Sequence, residues 1–412
     1  MRQLHSWISA PVLPAPPSLP HWLDRLLTVT LTILGFFLAW TPAGVSIVLA
    51  ILAVIALAAA PAIWRTAPWR DPVIAAGLVL LAYITLHTLW ISGFTLTAGQ
   101  TINRYHELGM AAILLALFRL ASQPHLFFRA VVWGVLAYAI THWIALFIPA
   151  LAADLASRRI SAGLCLLLVA FVLVEQARLN PRPWPSRIAA AFLCLTVLFA
   201  IDGRTGHLVL LLLAAVVAWV HSPRHWRWVA LVAVPMVVVA VGLGSSAVQL
   251  RVAETMAASS KNESGELTST GIRIELIRSG FALSTQYYAT GAGFARYAEV
   301  NRQSVTARFG PEPVRQGLPW ATIENPHSEF VMQIVGGGVA ALVLFVVWLV
   351  LPVMRRKNGH ADVALVGLVL AFAVGCVFNS MLRDFIEGHF YVALLAWLLA
   401  HPTAPAATAE TV

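Results

Sequence analysis

A histidine between two glutamates opens a long apolar run, in the sequence ENPHSEF at residues 324–330. Asparagine is a favoured helix N-cap and proline fits the first helical position, so Asn325 and Pro326 predict that His327 lies in the first turn of a helix. The helix dipole would favour a neutral imidazole, and Glu324 and Glu329 would tune or orient it. Such a group can act as a general base, whereas the alternative is a capped helix start with an interfacial histidine.

Arg204 is the first of two arginines that could bind an anion. It stands in the tight link DGRTG, between two apolar runs, where Gly203 and Gly206 free the backbone and Thr205 could cap the following helix. A helix N-terminus there would add a positive field to the guanidinium. The alternative is an arginine that snorkels or pairs with Asp202. Ionisable groups at the membrane edge are costly to keep, which favours the anion-binding interpretation.

Arg273 is the second such arginine, in the predicted loop helix GIRIELIRSGFALSTQYY at residues 271–288. A rotation of about 100° per residue places it within an apolar arc, and an arginine in that position indicates an anion partner. Arg278 lies on the polar arc and is expected to face solvent. The predicted apolar arc contains Ile274, Leu276, Ile277, Phe281, Leu283, Tyr287 and Tyr288, and the polar arc contains Glu275, Arg278, Ser279 and Gln286.

Further polar residues could complete a site, although none predicts a metal centre. Glu324, Ser328, Arg383 and Asp384 are candidate substrate-binding residues. Asp384, Glu387 and His389 either join the site or form a charged helix start. The sequence contains no paired aspartates of the DxD type and no cluster of His or Cys on this face, so neither a metal nor another cofactor is expected.

The elements that must position these residues are membrane helices. Hydrophobic residues make up 59% of the 412 residues and charged ones 11%, against about 25% charged in an average globular protein. Apolar runs of about 17–25 residues recur, the length that crosses a bilayer. We therefore predict an all-α polytopic membrane protein of about twelve transmembrane helices. The predicted spans lie near residues 24–40, 43–62, 72–94, 105–121, 128–151, 160–176, 188–202, 205–221, 227–246, 327–352, 362–381 and 385–400.

The basic residues predict the orientation of these spans. With a cytoplasmic N-terminus, fourteen of the 27 Lys and Arg fall in short cytoplasmic segments and five in short segments of the opposite side, the remaining eight lying in the long loop. The five are Arg104, Arg158, Arg159, Arg204 and Arg383. The predicted organisation is nine helices in residues 1–246, a large periplasmic loop with short helices at 247–326, and three helices with a short cytoplasmic tail at 327–412. The net charge of +9 is thus a topology signal, and no nucleic-acid partner is expected.

The chain resembles the O-antigen ligase family over about residues 190–400. The resemblance lies in the GRTG helix start, GIRIELIRSGFAL followed by GAGFARYAEV, the single large loop and NPHSEF. It implies that Arg204, Arg273 and His327 are the family's functional arginines and essential histidine. One departure is Ser328, where many relatives have asparagine, which affects the hydrogen bonding around the histidine.

The resemblance also implies a reaction and its partners. A glycan on undecaprenyl pyrophosphate would be transferred to lipid A–core at the periplasmic face of the bacterial inner membrane, by a glycosyltransferase-C-like protein that needs no metal. Arg204 and Arg273 would hold the pyrophosphate while His327 takes the acceptor proton, with inversion. O-antigen polymerases and protein O-oligosaccharyltransferases are alternatives within the superfamily. A lipid-linked glycan flippase or transporter is the alternative of another class, disfavoured because the acidic residues lie near span ends.

Overall fold

A computed structural model of the protein describes residues 18–246, 248, 249, 253, 269–357 and 360–401. The described chain is helical, apart from its loops and one antiparallel pair of two-residue strands, β1 (Arg356–Lys357) and β2 (His360–Ala361). The N-terminal helices are α1 (His21–Phe37), α2 (Pro42–Ala58), α3 (Ala60–Thr66), α4 (Pro72–Ser92), α5 (Leu96–Asn103), α6 (Glu107–Leu120), α7 (His125–Ala145), α8 (Pro149–Ala156), α9 (Arg159–Leu179), α10 (Trp184–Phe199), α11 (Arg204–His221) and α12 (Arg227–Leu243). The C-terminal helices are α13 (Ser269–Tyr287), α14 (Tyr297–Phe309), α15 (Glu312–Arg315), α16 (Pro319–Thr322), α17 (Glu329–Met354), α18 (Val363–Phe378) and α19 (Phe385–Ala400).

The prediction of an all-helical, multi-pass membrane protein is confirmed in its class. Within the described residues, α4, α7, α9, α11 and α17 are long and apolar enough to cross a membrane, and α2 with the chain that follows it passes the same test as a pair bent by 84°. Four shorter apolar helices, α10, α12, α18 and α19, also coincide with predicted spans. Crossings by all twelve segments, and a periplasmic location of residues 247–326, stay predictions. The predicted tail at 402–412 lies outside the described residues.

Helix α19 forms the centre of the bundle. Every residue from Ile386 to Leu399 is buried, and the helix packs against α6, α9 and α18. A helix that is apolar on all faces has to be surrounded by other helices, which explains this central position. The residues at its N-terminus, Arg383 and Asp384, are thereby held at one end of the bundle.

Helix α17 is broken at Gly338, whose φ of 70° is left-handed. The turn at residues 288–293 supplies the backbone hydrogen bonds that the break would otherwise remove. Val339 N donates to Tyr288 O at 2.7 Å, while Val335 O accepts from Ala292 N at 2.7 Å and Gly336 O accepts from Gly293 N at 2.9 Å. Tyr83 Oη donates to Gly337 O at 2.6 Å. The break is therefore a paired element of the fold, as irregular backbone in a membrane helix requires.

Gly338→Ala is expected to destabilise the protein by about 1–3 kcal/mol, because a left-handed alanine is strained. A Cβ there would also lie 2.6 Å from the carbonyl oxygen of Ala289. The measurement is thermal unfolding of the purified protein in detergent. Gly99→Ala is the matched control, since a Cβ at Gly99 meets nothing within 4 Å. An unchanged transition temperature for Gly338→Ala would contradict this reading of the break.

The loop helix is present as α13, but its predicted apolar arc is wrong. Leu276 and Leu283 are buried as expected, whereas Ile277 and Phe281 are 63% and 72% exposed. Two residues of the predicted polar arc, Glu275 and Ser279, are buried instead. The reason is tertiary: Arg308 of α14 pairs with Glu275 at 2.7 Å and donates to Ser279 Oγ at 3.1 Å, which allows a carboxylate to be buried.

Candidate functional site

The N-termini of α11, α17 and α19 meet at one end of the bundle, which we call the site face. Asn379, in the link between α18 and α19, connects the first two of them. Its side-chain amide donates to Thr205 Oγ1 at 3.4 Å and its carbonyl oxygen accepts from Glu329 N at 3.2 Å. Helix N-termini carry partial positive charge, so their convergence favours an anion.

Arg204 is the first residue of α11, and the residue before it, Gly203, occupies the N-cap position. Thr205 does not cap the helix; it is buried and accepts from Asn379. The first turns of α6, α17 and α19 contain Glu107, Glu329 and Glu387, whereas the first turn of α11 contains no acidic residue. The first turn of α11 therefore adds no carboxylate of its own to the positive field of this helix N-terminus.

The predicted helix start at Asn325 is wrong by three residues. Helix α17 begins at Glu329, and its N-cap is Ser328, whose Oγ accepts from Val331 N at 3.5 Å and donates to Cys376 O at 3.4 Å. His327 thus lies before the helix and not in its first turn. Serine provides here the N-cap that asparagine also provides, so the departure from the family motif leaves the cap intact.

His327 has a φ of 51°, and among the described residues only Ala67 shares a left-handed backbone without being glycine. This conformation is held by Asn325, whose Oδ1 accepts from His327 N at 2.9 Å and from Ser380 Oγ at 2.6 Å. Non-glycine residues in this region are strained and concentrate at functional sites. The imidazole is exposed at the site face, where a substrate can reach it.

Glu329, expected to orient the imidazole, is fully buried and instead binds the link between α18 and α19. Its carboxylate accepts from Gln333 Nε2 at 2.7 Å and from Leu382 N at 3.2 Å. Glu387 accepts from Ser161 Oγ at 2.6 Å, and His389 contacts His106 at 3.1 Å, both inside the bundle. These groups position the chain beneath the site face and do not extend it.

Four other charged residues lie together at the site face. Arg383 Nη1 donates to Glu324 O at 3.1 Å, and Arg104 pairs with the Glu324 carboxylate at 3.5 Å. Burial raises the pKa of Asp384 to about 6, although Arg383 and Arg104 act in the opposite direction. Glu324, Arg383 and Asp384 are thus neighbours, as their selection as candidates requires.

Arg104 joins these residues at the site face, although the sequence analysis did not name it as a candidate site residue. It is one of the five basic residues in short segments of the predicted periplasmic side, and that misplaced charge was the available signal. A second member of the five, Arg158, has a structural role, since it donates to Trp40 O at 2.8 Å. Arg273 lies on α13, but its side chain is outside what the structure describes. Within the described residues, no group of three or more His, Cys, Asp or Glu could hold a metal ion.

Fold and site together define a multi-pass helical membrane protein in which helix N-termini meet at one end of the bundle, the end at which His327 is exposed. Residues 189–346 match the family model described as O-antigen ligase, a match that supports membership of the O-antigen ligase family and confirms the predicted resemblance. The matched segment contains Arg204, Arg273 and His327. Members of this family are glycosyl-transferring enzymes that act on lipid-linked glycans and their acceptors. Among curated proteins, none matches the chain.

Proposed function

We propose that this protein is a lipopolysaccharide O-antigen ligase. It transfers a glycan from undecaprenyl pyrophosphate to a sugar hydroxyl of lipid A–core, at the periplasmic face of the inner membrane. The observation that carries the proposal is the strained, exposed His327 beside the N-terminus of α11, inside the segment that matches the family model. The pairing of a candidate base with an anion site suits the transfer of a group whose leaving group is an anion.

The proposed reaction is a direct displacement. The acceptor hydroxyl oxygen bonds to the anomeric carbon, the bond from that carbon to the pyrophosphate oxygen breaks, and His327 takes the hydroxyl proton. Arg204 and Arg273 stabilise the charge that develops on the departing pyrophosphate, together with the N-terminus of α11. Undecaprenyl pyrophosphate leaves, and the configuration at the anomeric carbon is inverted.

Arg383, Arg104, Glu324 and Asp384 form the neighbouring wall of the site in this proposal. Their mixed charges suit the hydroxyl-rich and phosphorylated surface of a glycan acceptor better than they suit a purely apolar substrate. Ser328 has a structural part in this proposal, because it caps α17 directly after His327.

The activity is tested with purified protein, undecaprenyl-pyrophosphate glycan and lipid A–core, without nucleotide or added divalent metal. A ladder of glycosylated lipid A–core, separated by gel electrophoresis, is the expected product. Extension of the glycan on the undecaprenyl carrier would instead identify a polymerase, and transfer to an added pilin-type protein would identify a protein O-oligosaccharyltransferase. Transport of the carrier across vesicles without any transfer would contradict the proposal altogether.

The orientation is tested with single cysteines and a membrane-impermeant thiol reagent applied to spheroplasts. Gln316→Cys, between α15 and α16, is expected to react from outside because the site face is proposed to be periplasmic. His225→Cys, between α11 and α12, is expected to react only after the membrane is permeabilised. Both side chains are exposed, so accessibility to the reagent depends on sidedness. Labelling of His225→Cys in intact spheroplasts would contradict the proposed orientation.

A further inference from the structure

Helix α13 and the turn after it descend alongside α17. A Cβ at Gly280 would lie 3.0 Å from the side chain of Val331, and Tyr288 O bonds to Val339 N at 2.7 Å. The two contacts are eight residues apart in each of the two segments, which corresponds to about 12 Å along a helix. The C-terminal half of α13 therefore runs in the same direction as the first turns of α17, in register with them.

The depth of this turn can be measured on α17. The residues that bond to it, from Val335 to Val339, lie about 9–15 Å from the start of the helix at Glu329, at 1.5 Å per residue. The apolar run of α17 begins at Phe330, next to that start. If the membrane boundary is placed at the start of α17, the turn lies well inside a hydrocarbon layer of about 30 Å.

Helix α4 provides an independent measure of the same depth. His87 Nε2 contacts Thr290 O at 2.7 Å, and Tyr83 Oη donates to Gly337 O at 2.6 Å. These two residues lie about 7 and 13 Å before the end of α4 at Ser92. Helices α17 and α4 both qualify as membrane spans, and the depths of the turn measured along them agree.

The turn can occupy this depth because its backbone is paired. Gly291 and Gly293 have φ values of 75° and 103°, and a Cβ at Gly291 would lie 2.6 Å from Gly336 O. Glycines therefore allow the turn to approach the broken segment of α17 closely. Backbone groups inside a membrane must be satisfied within the protein, and the hydrogen bonds to Val335, Gly336 and Val339 meet that requirement.

An exposed apolar stripe runs along α13 and into the turn that follows it, and is formed by Ile274, Ile277 and Phe281 of the helix and Tyr288 of the turn. Their spacing of three, four and seven residues places them on one side of the helix. They are 40%, 63%, 72% and 61% exposed. The stripe leads to Val339 and Val343 of α17, which are 47% and 53% exposed. It is thus continuous with the outer apolar surface of a helix that qualifies as a membrane span.

We propose that the C-terminal half of α13 and residues 288–293 form a re-entrant segment, and that the apolar stripe contacts the acyl chains of the surrounding lipid leaflet. The predicted loop at 247–326 is then not wholly aqueous. The depth of the turn, its paired backbone and the continuity of the stripe with α17 select lipid as the occupant. This placement in the membrane is independent of the proposed reaction.

The test uses nitroxide spin labels on single cysteines in proteoliposomes without donor or acceptor. Accessibility to oxygen reports lipid, and accessibility to a water-soluble nickel chelate reports water. Val343→Cys is the lipid reference and Gln303→Cys, exposed on α14, is the water reference. Phe281→Cys and Tyr288→Cys are expected to give an oxygen-to-nickel ratio close to that of Val343→Cys and several-fold above that of Gln303→Cys. The ratio should rise from Ile277→Cys to Phe281→Cys to Tyr288→Cys.

Three outcomes would overturn the proposal. A nickel accessibility at both Phe281→Cys and Tyr288→Cys equal to that of Gln303→Cys would place the stripe in water. Low accessibility to both reagents would show that a second copy of the chain covers it. An equal ratio at all three positions would show a helix lying flat on the membrane. Because the labelled side chains are exposed, each variant is expected to elute unchanged in size-exclusion chromatography. A variant whose elution changes has failed to fold and is set aside.

Discussion

His327→Ala is expected to lower the rate of glycan transfer about 10²–10⁴-fold, the usual contribution of general-base catalysis. The imidazole is the exposed basic group of the turn at residues 324–328, and its removal leaves no proton acceptor at that position. Donor binding is expected to survive, because the pyrophosphate is proposed to be held by the arginines. The measurements are single-turnover transfer and, separately, binding of the undecaprenyl-pyrophosphate donor.

Two further variants separate the base from the backbone turn. His327→Asn keeps a residue that tolerates the left-handed conformation, whereas alanine does not. His327→Gln keeps a polar side chain of similar reach. Both are expected to remain as inactive as His327→Ala, since neither amide accepts a proton at neutral pH. Recovery of transfer in His327→Asn would show that the histidine acts only through the shape of its turn.

One other result for His327→Ala would indicate that another residue is the base. If His327→Ala binds donor poorly but transfers bound donor at the normal rate, the histidine is a binding residue. Asp384 and Glu324 are then the next candidates for the base. Both lie at the site face, where they are linked through Arg383 and Arg104.

Arg204→Lys is expected to lower transfer about 10²–10³-fold, the loss typical of removing one donor to a developing anion. Lysine keeps the charge at the N-terminus of α11 but loses the planar fork that binds two oxygens of a phosphate. The measurement is kcat/KM for the donor at fixed acceptor concentration. Arg278→Lys, on the exposed face of α13, is the matched control and is expected to be near neutral.

The remaining arginine variants distinguish an anion site from an internal ion pair. Arg273→Lys is expected to lose activity like Arg204→Lys if both hold the pyrophosphate. Asp202→Asn tests the alternative that Arg204 is present to pair with Asp202. That variant is expected to keep most of its activity, and a loss as large as that of Arg204→Lys would favour the ion pair. Equal losses in Arg204→Lys, Arg273→Lys and Arg278→Lys would remove the reason for separating these positions.

Counting charges finds the arginines that are unusual for their predicted side of the membrane, but it does not show what each of them does. Counting basic residues on each predicted side selected five misplaced arginines, because topology is biased by local charge. The count cannot distinguish Arg158, which donates to a backbone carbonyl of Trp40, from Arg104, which pairs with Glu324. Those partners are more than one hundred residues away along the chain, so only the packed bundle reveals which arginine is structural.

Local patterns by themselves determined the class of this protein, the positions of its helices and the motifs that mark its family. Apolar runs of membrane-spanning length and the GRTG and NPHSEF motifs are readable because they depend on neighbouring residues. The tertiary structure alone decided the start of α17 at Glu329, the left-handed turn of His327 and the buried face of α13. Each depends on a contact between distant segments: Glu329 with Asn379, Ser380 with Asn325, and Arg308 with Glu275. Periodicity and capping preferences report only local energies, and these contacts outweigh them.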